Sequence, residues 1–133
     1  LDREWSSQPL AEEQSGWDWF SVSFEDGLKL MGFQLRQSDG ANFTSGTWIA
    51  PDGRVEALLP GQFAAQALEL TAVQGRDIPT AWRVKVAHKG VDVQVSALNP
   101  NAWMGVSLPY WEGPVTVRGS HEGRGYLEMT GYE

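Results

Sequence analysis

Residues 17–36 read WDWFSVSFEDGLKLMGFQLR, and this stretch decides the fold. From Trp17 to Glu25 the residues alternate. Phe20, Val22 and Phe24 lie on one face, with Asp18 the exception among them. Trp17, Trp19, Ser21 and Ser23 lie on the other. Strict alternation is the period of a β-strand, whose successive side chains point to opposite sides. Asp26-Gly27 follows, a dipeptide that accepts the positive φ of a tight hairpin turn. Leu28–Arg36 then returns as a second strand, with Met31, Phe33 and Leu35 opposed to Gly32, Gln34 and Arg36.

The same punctuation recurs along the chain. Ser38-Asp39-Gly40 separates Leu28–Arg36 from Phe43–Ala50, and Pro51-Asp52-Gly53 leads into Arg54–Leu58. Proline presets φ at the first turn position, and Asp-Gly completes the reversal. Leu68–Gln74 is a further strand. Thr80–Ala87 and Val91–Leu98 flank His88-Lys89-Gly90, and Val115–Gly119 and Tyr126–Tyr132 flank Ser120–Gly125. Phe63–Ala67 is read as a short helical turn on its alanines. Residues 1–16 form a polar lead-in with one short strand near Trp5. The sum is eight or nine short strands in one all-β domain over residues 1–133. Turns every 8–12 residues predict an antiparallel sandwich or barrel, and periodicity does not choose between them.

The strands carry aromatics on both faces, with Trp17 and Trp19 opposing Phe20 and Phe24. A strand apolar on both sides is covered on both sides. One side is the core. The other is a ligand cavity, a partner domain or a seam. Trp48 and Trp82 read as core. The Trp17/Trp19 pair, sharing a face with Ser21 and Ser23, reads as a lining.

Ten Lys and Arg against seventeen Asp and Glu give the 133-residue chain a net charge of −7. Such a surface repels phosphate backbones and anionic lipid, which argues against nucleic-acid partners. No apolar run approaches the roughly 20 residues of a membrane helix, so the chain is expected not to span a bilayer. With no cysteine there is no disulfide, thiol catalysis or thiolate metal site. The chain opens on Leu1 without Met, which suggests a mature or excised piece whose targeting segment lies elsewhere.

Chemistry is sparse. His88 and His121 both stand in turns, without neighbours at metal-ligand spacing, so no metal and no cofactor are expected. No nucleophile elbow or phosphate-binding glycine loop is present. Asn42-Phe43-Thr44 fits a glycosylation acceptor, which has meaning only in a eukaryotic secretory source. Carboxylates are the better candidates. Glu128 shares a face with Tyr126, Thr130 and Tyr132, while Leu127 and Met129 pack on the opposite side. Glu112 follows Tyr110-Trp111. A carboxylate beside aromatic walls has its pKa raised by desolvation, which suits a general acid. Asp18 reads as a strand-edge or turn-bonding residue. Gln34 and Arg36 lie beside the Trp face of the first strand, where either can pair with a carboxylate across the barrel. The candidate catalytic residues are therefore Glu128 and Glu112. The candidate ligand-binding residues are Trp17, Trp19, Gln34, Arg36, Tyr126 and Glu128.

Taken in order, these residues resemble a known family. Asp2-Arg3-Glu4-Trp5-Ser6-Ser7, Gly16-Trp17-Asp18-Trp19-Phe20, Leu30-Met31, Gln34-Leu35-Arg36 and Asp39-Gly40 look like the opening of the second half of AttH/CrtC-like proteins. Ser45-Gly46-Thr47, Pro79 with Trp82, Tyr110-Trp111-Glu112-Gly113 and Gly125-Tyr126-Leu127-Glu128-Met129-Thr130-Gly131-Tyr132 continue the likeness through nearly the whole chain. The resemblance implies a lipocalin-like β-barrel, the C-terminal of two in tandem, whose partner is the N-terminal lipocalin-like domain. It implies a hydrophobic, lipid-like ligand. It also implies a bacterial periplasmic, secreted or lipoprotein-anchored setting near ABC transporter genes. The family holds predicted secreted hydrolases and, more distantly, carotenoid hydratases, but no hydratase catalytic set falls on these residues. Three readings follow: a hydrophobic-ligand binding module, which is the expectation; an acid-assisted hydratase or hydrolase acting on a polyene through Glu128 or Glu112; and a structural half that supports its companion.

Overall fold

Turn chemistry closes the hairpins where the sequence places it. At Asp26-Gly27 the amide of Gly27 donates to the carbonyl of Phe24, and Asp26 Oδ1 accepts from the amide of Leu28 at 3.1 Å. At Pro51-Asp52-Gly53 the amide of Gly53 donates to the carbonyl of Ala50, and Asp52 Oδ1 accepts from the amide of Arg54 at 3.0 Å. A carboxylate that bonds the backbone two residues on is the usual reason for aspartate in such turns.

A computed structural model describes residues 14–37, 42–104 and 110–132, so Trp5 and the Ser38-Asp39-Gly40 turn lie outside the described residues. The strands are β1 (Gln14–Phe24), β2 (Lys29–Gln37), β3 (Phe43–Ile49), β4 (Val55–Leu58), β5 (Ala64–Val73), β6 (Arg76–Val86), β7 (Val91–Ala97), β8 (Trp103–Met104), β9 (Tyr110–Gly119) and β10 (Gly123–Thr130). The helical content among these residues is one 3-10 turn, Ala87–Lys89. All pairings are antiparallel, in the order β4-β3-β2-β1-β10-β9-β7-β6-β5, with the two-residue β8 on β9. The sheet curls on itself as a half-barrel. The first and last hairpins meet at its centre, where β1 lies along β10 from Asp18↔Met129 to Phe24↔Gly123.

The concave side is the core. Phe20, Leu30, Phe63, Ile78, Trp111, Leu127 and Met129 are fully buried there. Phe20 sits at its middle, edge-on to Trp82 at 5.4 Å and tilted against Phe63 at 5.7 Å. Trp48 and Trp82 are buried as expected. Phe63 lies so close over Gly32 that a β-carbon at residue 32 would overlap the ring. Glycine is required there for close approach rather than for flexibility.

Three expectations need correction. Phe63–Ala67 is not a helical turn: β5 begins at Ala64, which pairs with Lys85. Burial of the Phe63 ring and the strand ladder outweigh the small helix preference of the alanines. The lead-in is shorter than expected, since β1 starts at Gln14. Finally, Gln34 and Arg36 do not lie on the Trp face. The register sets Asp18 opposite Gln34, and Trp17 and Trp19 opposite Leu35 and Phe33.

Candidate functional site

The two sides of β1 carry two different constellations. On the concave side, at the end of the half-barrel where β1 begins, Asp18 is fully buried. Its Oδ2 accepts from Gln34 Nε2 at 3.1 Å and from Arg36 Nε at 3.1 Å, and its Oδ1 accepts from the Tyr132 hydroxyl at 2.8 Å. Arg36 also donates from Nη2 to the carbonyl of Thr130, and its guanidinium lies 4.0 Å from the centre of the Tyr132 ring. Burial pushes the Asp18 carboxyl up, opposed by the Arg36 charge and by the hydrogen bonds from Gln34, Tyr132 and Arg36. Burial and the neighbouring Asp18 carboxylate push the Tyr132 phenol up, so it stays protonated and donates.

Tyr132 reaches this cluster because Gly131, at φ +89°, breaks the alternation of β10. The sequence reading placed Tyr132 beside Glu128. The structure separates them and joins Tyr132 to Asp18. Asp18 is therefore neither a strand-edge nor a turn-bonding residue. It is the hub of a satisfied polar network that holds β1, β2 and the end of the chain together. The signal was present: an acid in the inward-facing row of β1 demands partners, and Gln34 and Arg36 stand in the matching row of β2.

The convex side carries the aromatic constellation. The register lays out cross-strand rows there. One row is Phe43, Leu35 and Trp17. The next runs Ser45, Phe33, Trp19, Glu128 and Glu112. Met31, Ser21, Tyr126 and Pro114 form a third. Trp17 and Phe33 are 8 % and 6 % exposed although they lie opposite the core, and their ring centres are 6.4 Å apart. Trp19 is half-buried, and Tyr126 and Phe43 are exposed at 39 % and 42 %. The two-sided apolar character of β1 is thus real.

Glu128 and Glu112 face each other directly across β10 and β9. Carboxylates opposed in this way repel. Glu112 acts on both Tyr110 and Tyr126 as a charge and a hydrogen-bond partner, and burial followed by that charge pushes both phenols up. The arrangement is a two-carboxylate, two-phenol cluster edged by Trp19. It can accept hydrogen bonds beside an aromatic wall. Of the six candidate ligand residues, Trp17, Trp19, Tyr126 and Glu128 therefore share the convex face, whereas Gln34 and Arg36 turn inward onto Asp18.

The histidines play no part in either constellation. His88 pairs with Glu56 at 3.4 Å in its exposed turn. His121, also in a turn, is half-buried with its ring 5.0 Å from that of Phe24. Among the described residues no group of three or more His, Asp or Glu side chains is placed to hold a metal ion, and no helix is long and apolar enough to cross a membrane.

The model of the AttH-like family matches residues 1–132. The chain belongs to the AttH-like family. A crystal structure described as an AttH protein from Nitrosomonas europaea superposes on this AttH-like chain with a TM-score of 0.83 at 28 % identity, over 94 % of the chain. The AttH-like chain spans only 41 % of the length of that protein. No curated protein matches it.

Proposed function

We propose that this AttH-like domain is a binding module for an apolar, lipid-like molecule, received on the convex aromatic face rather than inside the half-barrel. The observation that carries this reading is the division of aromatics between the two sides of the sheet. Phe20, Phe63, Trp82 and Trp111 pack the concave side, while Trp17, Trp19, Phe33, Phe43 and Tyr126 sit opposite. Burial of apolar surface supplies affinity at about 25 cal/mol per Å². Glu128, Glu112 and the two tyrosines orient the guest, as the few polar groups of an apolar site do.

A companion lipocalin-like domain completes the site in our reading. The matched protein is more than twice as long as this chain, which leaves room for such a domain. A periplasmic, secreted or lipoprotein-anchored setting next to a transporter fits a carrier of this kind. The test is titration of the chain with retinol, a neutral polyene, followed by tryptophan fluorescence. Quenching that is weakened by Trp19→Ala supports the proposal, and a flat response from the folded chain ends it.

The opposed Glu128 and Glu112 favour one second reading, acid-assisted addition of water to a polyene. One carboxyl would deliver the proton, the aromatic faces would stabilise the cation, and the water that adds would return its proton to the carboxylate so formed. Turnover that survives both Glu128→Gln and Glu112→Gln eliminates it.

A further inference from the structure

Along β9 the convex face changes character, from Tyr110 and Glu112 at one end to Thr116 and Arg118 at the other. At the second end lies an open groove of about 650 Å³ lined by Leu68, Arg83, Asp92, Gln94, Ser96, Thr116 and Arg118, among others. Its floor is an in-register row, Arg83↔Gln94↔Arg118, across β6, β7 and β9, with Ser96↔Thr116 beside it. Its wall is Leu68, which is 47 % exposed and stands where the register of β5 shifts on either side of Glu69. Bulges of this kind bend a strand and re-aim its side chains, and they are common beside functional sites.

The groove is rich in donors. Asp92 grips Arg83 through a two-pronged ion pair, Nε to Oδ1 at 2.9 Å and Nη2 to Oδ2 at 2.7 Å. That grip uses one edge of the guanidinium and fixes its direction. A guanidinium carries five N–H donors, so the free edge still presents several. Among the described residues Arg118 has no ion-pair partner. The hydroxyls of Ser96 and Thr116 add donors that rotate to suit. With Asp92 offsetting one arginine, the groove is left with one net positive charge in a chain of net charge −7. An exposed leucine adjoins that charge.

We infer that this groove binds the oxyanion head of an amphiphile, a carboxylate or a phosphate monoester, with the head on Arg118 and the free edge of Arg83 and the first carbons of the tail on Leu68. The inference is independent of the ligand on the aromatic face, because it uses a different end of the sheet and an anionic rather than a neutral guest.

The test is calorimetric titration of the 133-residue chain with decanoate, decyl phosphate and decyltrimethylammonium in low salt. Binding by either anion, but not by the cation, is expected, and the arm that binds more tightly identifies the head. Arg118→Gln should weaken it about tenfold, the worth of one charge-assisted hydrogen bond. Arg118 is exposed, so the variant should fold with an unchanged melting temperature. Added salt should weaken binding further, because an exposed ion contact is screened. Equal binding of the cation, or affinity for the anions indifferent to Arg118→Gln, would overturn the inference.

Discussion

Asp18 ties β1 to β2 and to Tyr132 beyond β10 through three side-chain hydrogen bonds. It interrupts an otherwise apolar row, and a lone acid in a strand is most simply read as lying at an edge. The missing information was three-dimensional: β2 brings Gln34 and Arg36 alongside, and the chain end brings Tyr132. Asp18→Ala removes the acceptor of the Gln34 amide and of the Tyr132 phenol, and one of the acceptors of the half-buried Arg36 guanidinium. It should cost about 3–5 kcal/mol in urea unfolding, the usual penalty for breaking a buried pair. The pH dependence has a definite sign. The folded state holds the Asp18 proton more tightly than the unfolded chain, whose carboxyl titrates near the ordinary value of 3.8. The stability advantage of the native protein over Asp18→Asn should therefore be largest below that value and shrink as pH rises through the folded pKa. Urea unfolding of both proteins across this range checks it. An advantage that grows with pH would show that the ionised form is the one preferred. At Gly32 the Phe63 ring leaves no space for a methyl group. Gly32→Ala should lower stability by about 1–3 kcal/mol through overpacking, measured by thermal unfolding.

Strands with Asp-Gly or Pro-Asp-Gly turns were legible to within a few residues, because turn chemistry and alternation act locally. Where tertiary burial decides, as at Phe63, local propensity misleads. β10 shows the same limit. Its alternation correctly places Leu127 and Met129 inside and Glu128 outside, yet Gly131 reverses the side of Tyr132. The central strand β1 is the clearest case of two functions on one element. Its inward row, Phe20, Val22 and Phe24, makes the fold. Its outward row, Trp17 and Trp19, meets the aromatic face. These rows should separate experimentally. Phe20→Ala should destabilise by about 3–5 kcal/mol, as full loss of a buried ring does. Trp19→Ala removes a half-buried ring, so urea unfolding should show a smaller loss while retinol binding weakens.

At the scale of the whole molecule, the described residues pack buried side chains on the concave side of the half-barrel and leave part of the convex side apolar. The sequence showed that both sides were apolar and pointed to the Trp17/Trp19 face as the lining, although alternation by itself fits a core on either side. The register settles this, since Phe20, Leu127 and Trp111 converge on one side and Trp19, Glu128 and Glu112 on the other. The consequence can be read residue by residue. With 5-fluorotryptophan incorporated, fluorine NMR during a retinol titration should move the Trp19 and Trp17 resonances and leave those of Trp82 and Trp111 in place. Movement of Trp82 and Trp111 with Trp19 unchanged would put the guest inside the half-barrel and contradict the account.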